Sequence, residues 1–163
     1  MQPDVVIFAI GNPSRGDDAL GPLLMERLRD WLPLQPEGAR FELVEDFQLQ
    51  VEHALDLEGK SLALFIDAGS GTPAPYSFTP VRAAGDFTHT SHALEPATVL
   101  HVQGKLQGAA PPPAFVLCVR GEAFELGEPL SLAALEHLEQ AWERLQSLCR
   151  DACPEAWAYN SGI

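Results

Sequence analysis

Five residues of this 163-residue chain have the types and spacing to act together on a cation. Asp17 and Asp18 stand side by side in GNPSRGDDALGP, residues 11–22. Asp67 ends the apolar run SLALFID, and His89 and His92 lie within the short stretch THTSH, residues 88–92. Two carboxylates and an imidazole form an O,O,N ligand set, which suits borderline divalent metals such as zinc or nickel and leaves positions open for a partner's ligands. Each residue also has a plainer reading. An aspartate at a helix N-terminus serves as a cap or complements the helix dipole. A strand-end aspartate bonds turn amides, and a lone loop histidine is commonly a solvated bystander. Their coincidence at one edge of the expected sheet favours the chemical reading.

A glycine-rich turn between an apolar run and a helical pattern usually binds phosphate. Two adjacent carboxylates would repel one, and Gly11, Gly16 and Gly21 recur every five residues rather than as G-x-G-x-x-G. No nucleophile stands out. The chain lacks a G-x-S-x-G elbow, Ser14, Ser70 and Ser91 have no recognisable base arrangement, and no cysteine neighbours a histidine in a catalytic signature. For a hydrolase, a metal-activated water or metal-polarised carbonyl fits better than an acyl-enzyme. His53, His101 and His137 sit inside helical patterns and read as bystanders.

The elements that must position these residues alternate along the chain. DVVIFAI (4–10) is a β-branched and aromatic run ending at Gly11, as a buried strand does. Leu20, Leu24, Leu28 and Trp31 recur at helical spacing from Asp17 to about Leu32, where Pro33 and Pro36 stop the helix. RFELVE (40–45) predicts a second strand, LQVEHALDL (49–57) a short helix, and SLALFID (61–67) a third strand. YSFTPVR (76–82) carries Pro80 and predicts an edge strand. Pro96 opens a helix to about Leu106, residues 114–119 form a core strand, and Ser131 caps a helix from Leu132 to Cys149. The tail after Pro154, residues 154–163, is expected to be loose. The alternation predicts one α/β domain over residues 1–163, a three-layer α/β/α sandwich with a mainly parallel twisted sheet and helices on both faces. Ligands of such a sheet bind beyond the carboxyl ends of its strands, where Asp17, Asp18 and Asp67 fall.

Bulk properties narrow the partners. Twenty-three acidic against 10 basic residues give a formal charge of −13, which repels nucleic acid and favours a cationic segment or metal. No apolar stretch approaches the roughly 20 residues of a membrane span, and Met1 to Asp4 carries no basic signal region. Cys118, Cys149 and Cys153 lack a zinc-type spacing and read as structural thiols of a reducing cytoplasm.

AIGNPSRGDDALGPLL, ALFIDAG and TSHALEPATVL together resemble the hydrogenase maturation endopeptidases, over most of the chain. EDFQLQVEHALDL and RGEAFELGEPLS look like the branch serving cytoplasmic NAD-coupled or bidirectional hydrogenases. The resemblance implies an α/β/α sandwich that removes a C-terminal extension from the [NiFe]-hydrogenase large-subunit precursor once nickel is installed. Nickel would be supplied by that substrate, with no organic cofactor, in the cytoplasm and without membrane or nucleic-acid partners. Matched motif by motif, the family's metal-binding positions, which carry its catalytic role, fall on Asp18, Asp67 and His92. Asp17 matches the acid before the ligand and would shape the turn, and His89 lies outside the matched position. Two departures stand out. The chain has Ala9-Ile10-Gly11-Asn12 where many members have G-x-G-N, tolerable if Ala9 keeps a negative φ. It also has Asp18 where some members carry glutamate, which requires the loop to sit closer to the metal.

Three competing readings predict different things. A peptidyl-tRNA hydrolase shares the G-N-P turn but needs a catalytic histidine soon after it and a basic surface. A Rossmann-type nucleotide-binding module would bind NAD or ATP. A nickel-dependent chaperone of the large subunit would use the same three ligands without cutting.

Overall fold

The computed structural model describes residues 2–84 and 94–161. Strand β1 (Val5–Ile10) is buried along its whole length, as a strand covered on both faces must be. It pairs in parallel with β2 (Phe41–Asp46) on one side and β3 (Leu62–Gly69) on the other. β5 (Ala114–Arg120) continues the parallel sheet beside β3. β4 (Tyr76–Val81) closes it antiparallel to β5, so Pro80 sits on an edge strand as its missing N–H requires. The order is β2-β1-β3-β5-β4.

Alternate residues of β1 feed two cores. Val5, Ile7 and Ala9 face α1 (Leu20–Trp31), α3 (Leu132–Arg150) and α4 (Pro154–Asn160). Val6, Phe8 and Ile10 face α2 (Pro96–Gln107) and a 3-10 turn over Val51–Leu57. The layers are helix, sheet, helix, in agreement with the expected sandwich. Pro96 lies in the first turn of α2, and Ser131 caps α3 by accepting the Ala134 N–H at 3.2 Å.

Two expectations need correction. Residues 51–57 wind as a 3-10 turn rather than an α-helix. The tail after Pro154 is not loose through Asn160: it forms α4, because Trp157 has a fully buried place to go. Its ring meets Phe78 and Phe115 edge-on, and its Nε1 donates to the Leu148 carbonyl at 3.0 Å. Trp157→Phe should therefore lose about 1–2 kcal/mol of stability, read as a lower urea midpoint at unchanged slope.

Candidate active site

The sheet reverses its direction of winding between β1 and β3, so the crevice beyond their carboxyl ends is the natural ligand position. β1 leads into the turn 11–19, and Asp67 stands near the end of β3. Gly11 makes the exit from β1 possible. Its φ is 150°, and a Cβ there would come within 2.0 Å of the Asp18 carbonyl oxygen. Ala9 lies inside β1, and no non-glycine residue among those described has positive φ, so the extra methyl relative to G-x-G-N is accommodated.

The adjacent aspartates go opposite ways. Asp17 is fully buried and points inward. It accepts the N–H groups of Glu122 at 2.7 Å, Ala123 at 3.0 Å and Ser131 at 2.8 Å, and the Ser131 hydroxyl at 2.7 Å. Burial works against its ionisation, but these four donors outweigh it and hold the carboxyl below its ordinary range. Asp17 is thus the clasp between the 11–19 turn and the 121–131 loop. Backbone bonds from Gly16 to Glu128 and from Gly127 to Ser14 tighten the same seam.

Asp18 turns outward instead. Its Oδ2 accepts the Asn12 N–H at 2.7 Å, so the amide that a bound phosphate would need is taken by the chain's own carboxylate. Asp18 and Asp67 line one open cleft of about 490 Å³, shared with Ile10, Phe47, Gln48 and Phe124. Burial is the main force pushing the Asp67 carboxyl up to about 6. The Ala68 N–H, donated at 2.8 Å, opposes that rise, and the Asp18 charge adds to it. A carboxylate whose ionisation is opposed by burial and by a neighbouring negative charge, as that of Asp67 is, is relieved by a cation beside it. The donor set is hard and anionic, which fits a divalent metal better than any anion.

His89 and His92, the imidazole donors expected from the sequence, lie outside the described residues. Among the described residues no group of three His, Cys, Asp or Glu side chains gathers at one metal position. A thiol nucleophile fares poorly beside the cleft. Cys118 is Asp67's register partner on β5, and burial and the Asp67 charge raise its pKa against the lowering hydrogen bond with Thr72. His137 bonds the Arg120 carbonyl at 2.9 Å, a structural contact.

His53 has more to do than its helical spacing suggests. Its Nδ1 accepts the Gln50 N–H at 2.7 Å, and its Nε2 lies 3.3 Å from Asp46 Oδ2. An accepting Nδ1 puts the proton of the neutral ring on Nε2, facing Asp46. The sequence signal was the three-residue step from Gln50 to His53, the spacing of a capping box with an imidazole in the place of Glu or Gln.

No protein-family model and no curated protein matches the chain. Solved structures do. The chain is similar to the hydrogenase maturating endopeptidase HybD from E. coli, with 20% identity over 93% of this chain and 94% of that one, at a TM-score of 0.68. It is similar to the [NiFe] hydrogenase maturation protease HycI from Thermococcus kodakarensis KOD1, with 22% identity over 92% and 94% of the two chains and a TM-score of 0.66. A hydrogenase 2 maturation peptidase from Thaumarchaeota archaeon SCGC_AB-539-E09 matches at 20% identity over 89% and 97%, with a TM-score of 0.62. The fold of this chain is the fold of those proteins over most of its length.

Proposed function

We propose that this chain is a [NiFe]-hydrogenase maturation endopeptidase, which removes the C-terminal extension of a large-subunit precursor after nickel insertion. The observation that carries the reading is the convergence of Asp18 and Asp67 in one cleft at the β1/β3 crevice. The likeness to maturation endopeptidases over most of the chain and the motif containing His92 support it.

The cation is part of the substrate. Nickel already held by the precursor's thiolates docks against Asp18, Asp67 and His92, which complete its coordination and fix the neighbouring peptide bond in the cleft. Docking lowers the cost of ionising Asp67, because the metal charge offsets both burial and the Asp18 carboxylate. Water adds to the scissile carbonyl, the C–N bond breaks, and the proton surrendered by water passes to the departing amine. Coupling cleavage to nickel follows from the charge: without the cation, two carboxylates repel the approach of a backbone carbonyl. The motifs EDFQLQVEHALDL and RGEAFELGEPLS support the further reading that its substrate belongs to a cytoplasmic NAD-coupled or bidirectional hydrogenase. No helix among the described residues is long and apolar enough to cross a membrane.

The test is the intact mass of a cognate large-subunit precursor incubated with the protein, nickel-loaded and nickel-free. A C-terminal peptide should be lost only from the nickel-loaded precursor, and not with the Asp18→Ala variant. Binding without mass loss would favour the chaperone reading. Cleavage of nickel-free precursor or of unrelated proteins would refute nickel-coupled action.

A further inference from the structure

We infer that Phe124 is a specificity-determining residue of the cleft, an apolar wall for an apolar side chain adjoining the cleaved bond, an inference that rests on the endopeptidase reading. Phe124 lines the cleft with Asp18 and Asp67, and Ile10 and Ala68 line it too. The carboxylates suit the substrate's cation, but they cannot select the side chains that flank the bond. A phenyl ring at their side neither ligates a metal nor hydrogen-bonds a backbone. What it offers is apolar contact and exclusion of water. Its neighbours Glu122, Glu125 and Leu126 are exposed, whereas Phe124 is half-buried and faces the cleft.

A wall selects only if it stays in place, and the loop that carries Phe124 is braced to both elements bearing the carboxylates. On the side of Asp18, the Asp17 carboxylate accepts the N–H groups of Glu122 and Ala123, the two residues just before Phe124, at 2.7 and 3.0 Å. The Asp17 N–H in turn donates to the Ala123 carbonyl at 2.6 Å. On the side of Asp67, the Gly121 N–H donates at 3.0 Å to the carbonyl of Gly69, the last residue of β3. Two glycines make room for this bracing. A Cβ at Gly16 would collide with the Ala123 carbonyl oxygen. One at Gly121 would lie 2.7 Å from Phe124 Cζ and 2.9 Å from Asp17 Cβ. The tip of the ring thus rests on bare backbone, next to the Asp17 side chain. Asp17 touches no substrate and is a positioning residue, fixing Phe124 relative to Asp18 and Asp67.

A double-mutant cycle tests the wall, pairing enzyme variants with nickel-loaded cognate precursors in which the apolar residues adjoining the cleaved bond are replaced by alanine one at a time. Phe124→Ala should lower kcat/KM on the native precursor about tenfold, and by about twofold at most on the precursor that lacks the matching side chain. Phe124→Leu should keep most of the native rate, because it restores an apolar surface. Asp17→Asn should weaken the same discrimination several-fold, a change in the ratio of two substrates that mere loss of folded protein would not produce. Native discrimination in folded Asp17→Asn would overturn its positioning role. A folded Phe124→Ala variant that loses the same factor on every precursor, or nothing on any, would overturn the wall. Phe124 is only half-buried, so its variant decides the proposal even if Asp17→Asn fails to fold. A native chain that binds the precursor without cutting it sinks the endopeptidase reading, while the same cycle read in Kd still decides the wall. A native chain that neither binds nor cuts its precursor overturns both.

Discussion

Asp67→Asn should abolish precursor cleavage and at the same time make the protein harder to unfold at neutral pH. Under the proposed function, the loss of activity, about a thousandfold, follows from removing the charge that would face the substrate's metal in a partly desolvated cleft. The gain in stability follows from linkage. The folded chain holds the Asp67 proton up to about 6, whereas the unfolded chain releases it near the ordinary 3.8. Folding stability therefore falls as pH rises from 3.8 and levels off above about 6, because ionised Asp67 is costly only in the folded state. Asparagine keeps an oxygen to accept the Ala68 N–H but carries no charge. With allowance for solvent at the open rim, the variant should gain about 1–2 kcal/mol at neutral pH and nothing at about pH 4. Urea unfolding at the two pH values measures this. A variant that is both active and no more stable than native would remove Asp67 from the site.

Asp17→Ala should do the reverse of what its neighbour's substitution does. It leaves three N–H groups and the Ser131 hydroxyl, in a partly buried seam, without their acceptor, a loss of about 3–5 kcal/mol and roughly a 10 °C fall in Tm. Asp18→Ala forfeits one described hydrogen bond, from Asn12, and should cost about 1 kcal/mol while still ending cleavage. Acid separates the pair again. The Asp17 carboxyl is held below its ordinary 3.8, so its contribution is complete above that value and is lost as pH falls through the lowered one. Asp17→Asn should thus lose less stability on acidification than the native chain. Equal stabilities for Asp17→Ala and native would show that the clasp is not needed.

The sheet was legible because its strands are buried on both faces and so appear as unbroken apolar runs, VVIFAI in β1 and LALFI in β3. Asp67 was legible as the polar residue that ends such a run. Asp17 and Asp18 were harder to tell apart, because both read as first-turn acids. What separates them is a loop more than a hundred residues downstream that presents its amides to Asp17 alone. Local pattern carries no record of so distant a partner. α4 was missed for a similar reason: a seven-residue segment after a proline has little propensity of its own, and its order comes from the pocket that receives Trp157. His53 was read as a bystander since its two contacts depend on how the chain leaves β2, which the spacing of Gln50 and His53 only hints at.

The Asp17–Ser131 contact spans 114 positions of sequence. On a growing polypeptide, β1, β2 and β3 leave the ribosome long before the residues that fasten the 11–19 turn. Until Ser131 has been synthesised, Asp18 hangs on a turn with no backing, and closing so long a loop is slow compared with pairing neighbouring strands. Under the proposed function, the chain would thus acquire its cutting edge late in its own biogenesis. A ribosome-arrested chain ending before residue 121 could pair its first three strands while remaining harmless to any precursor nearby.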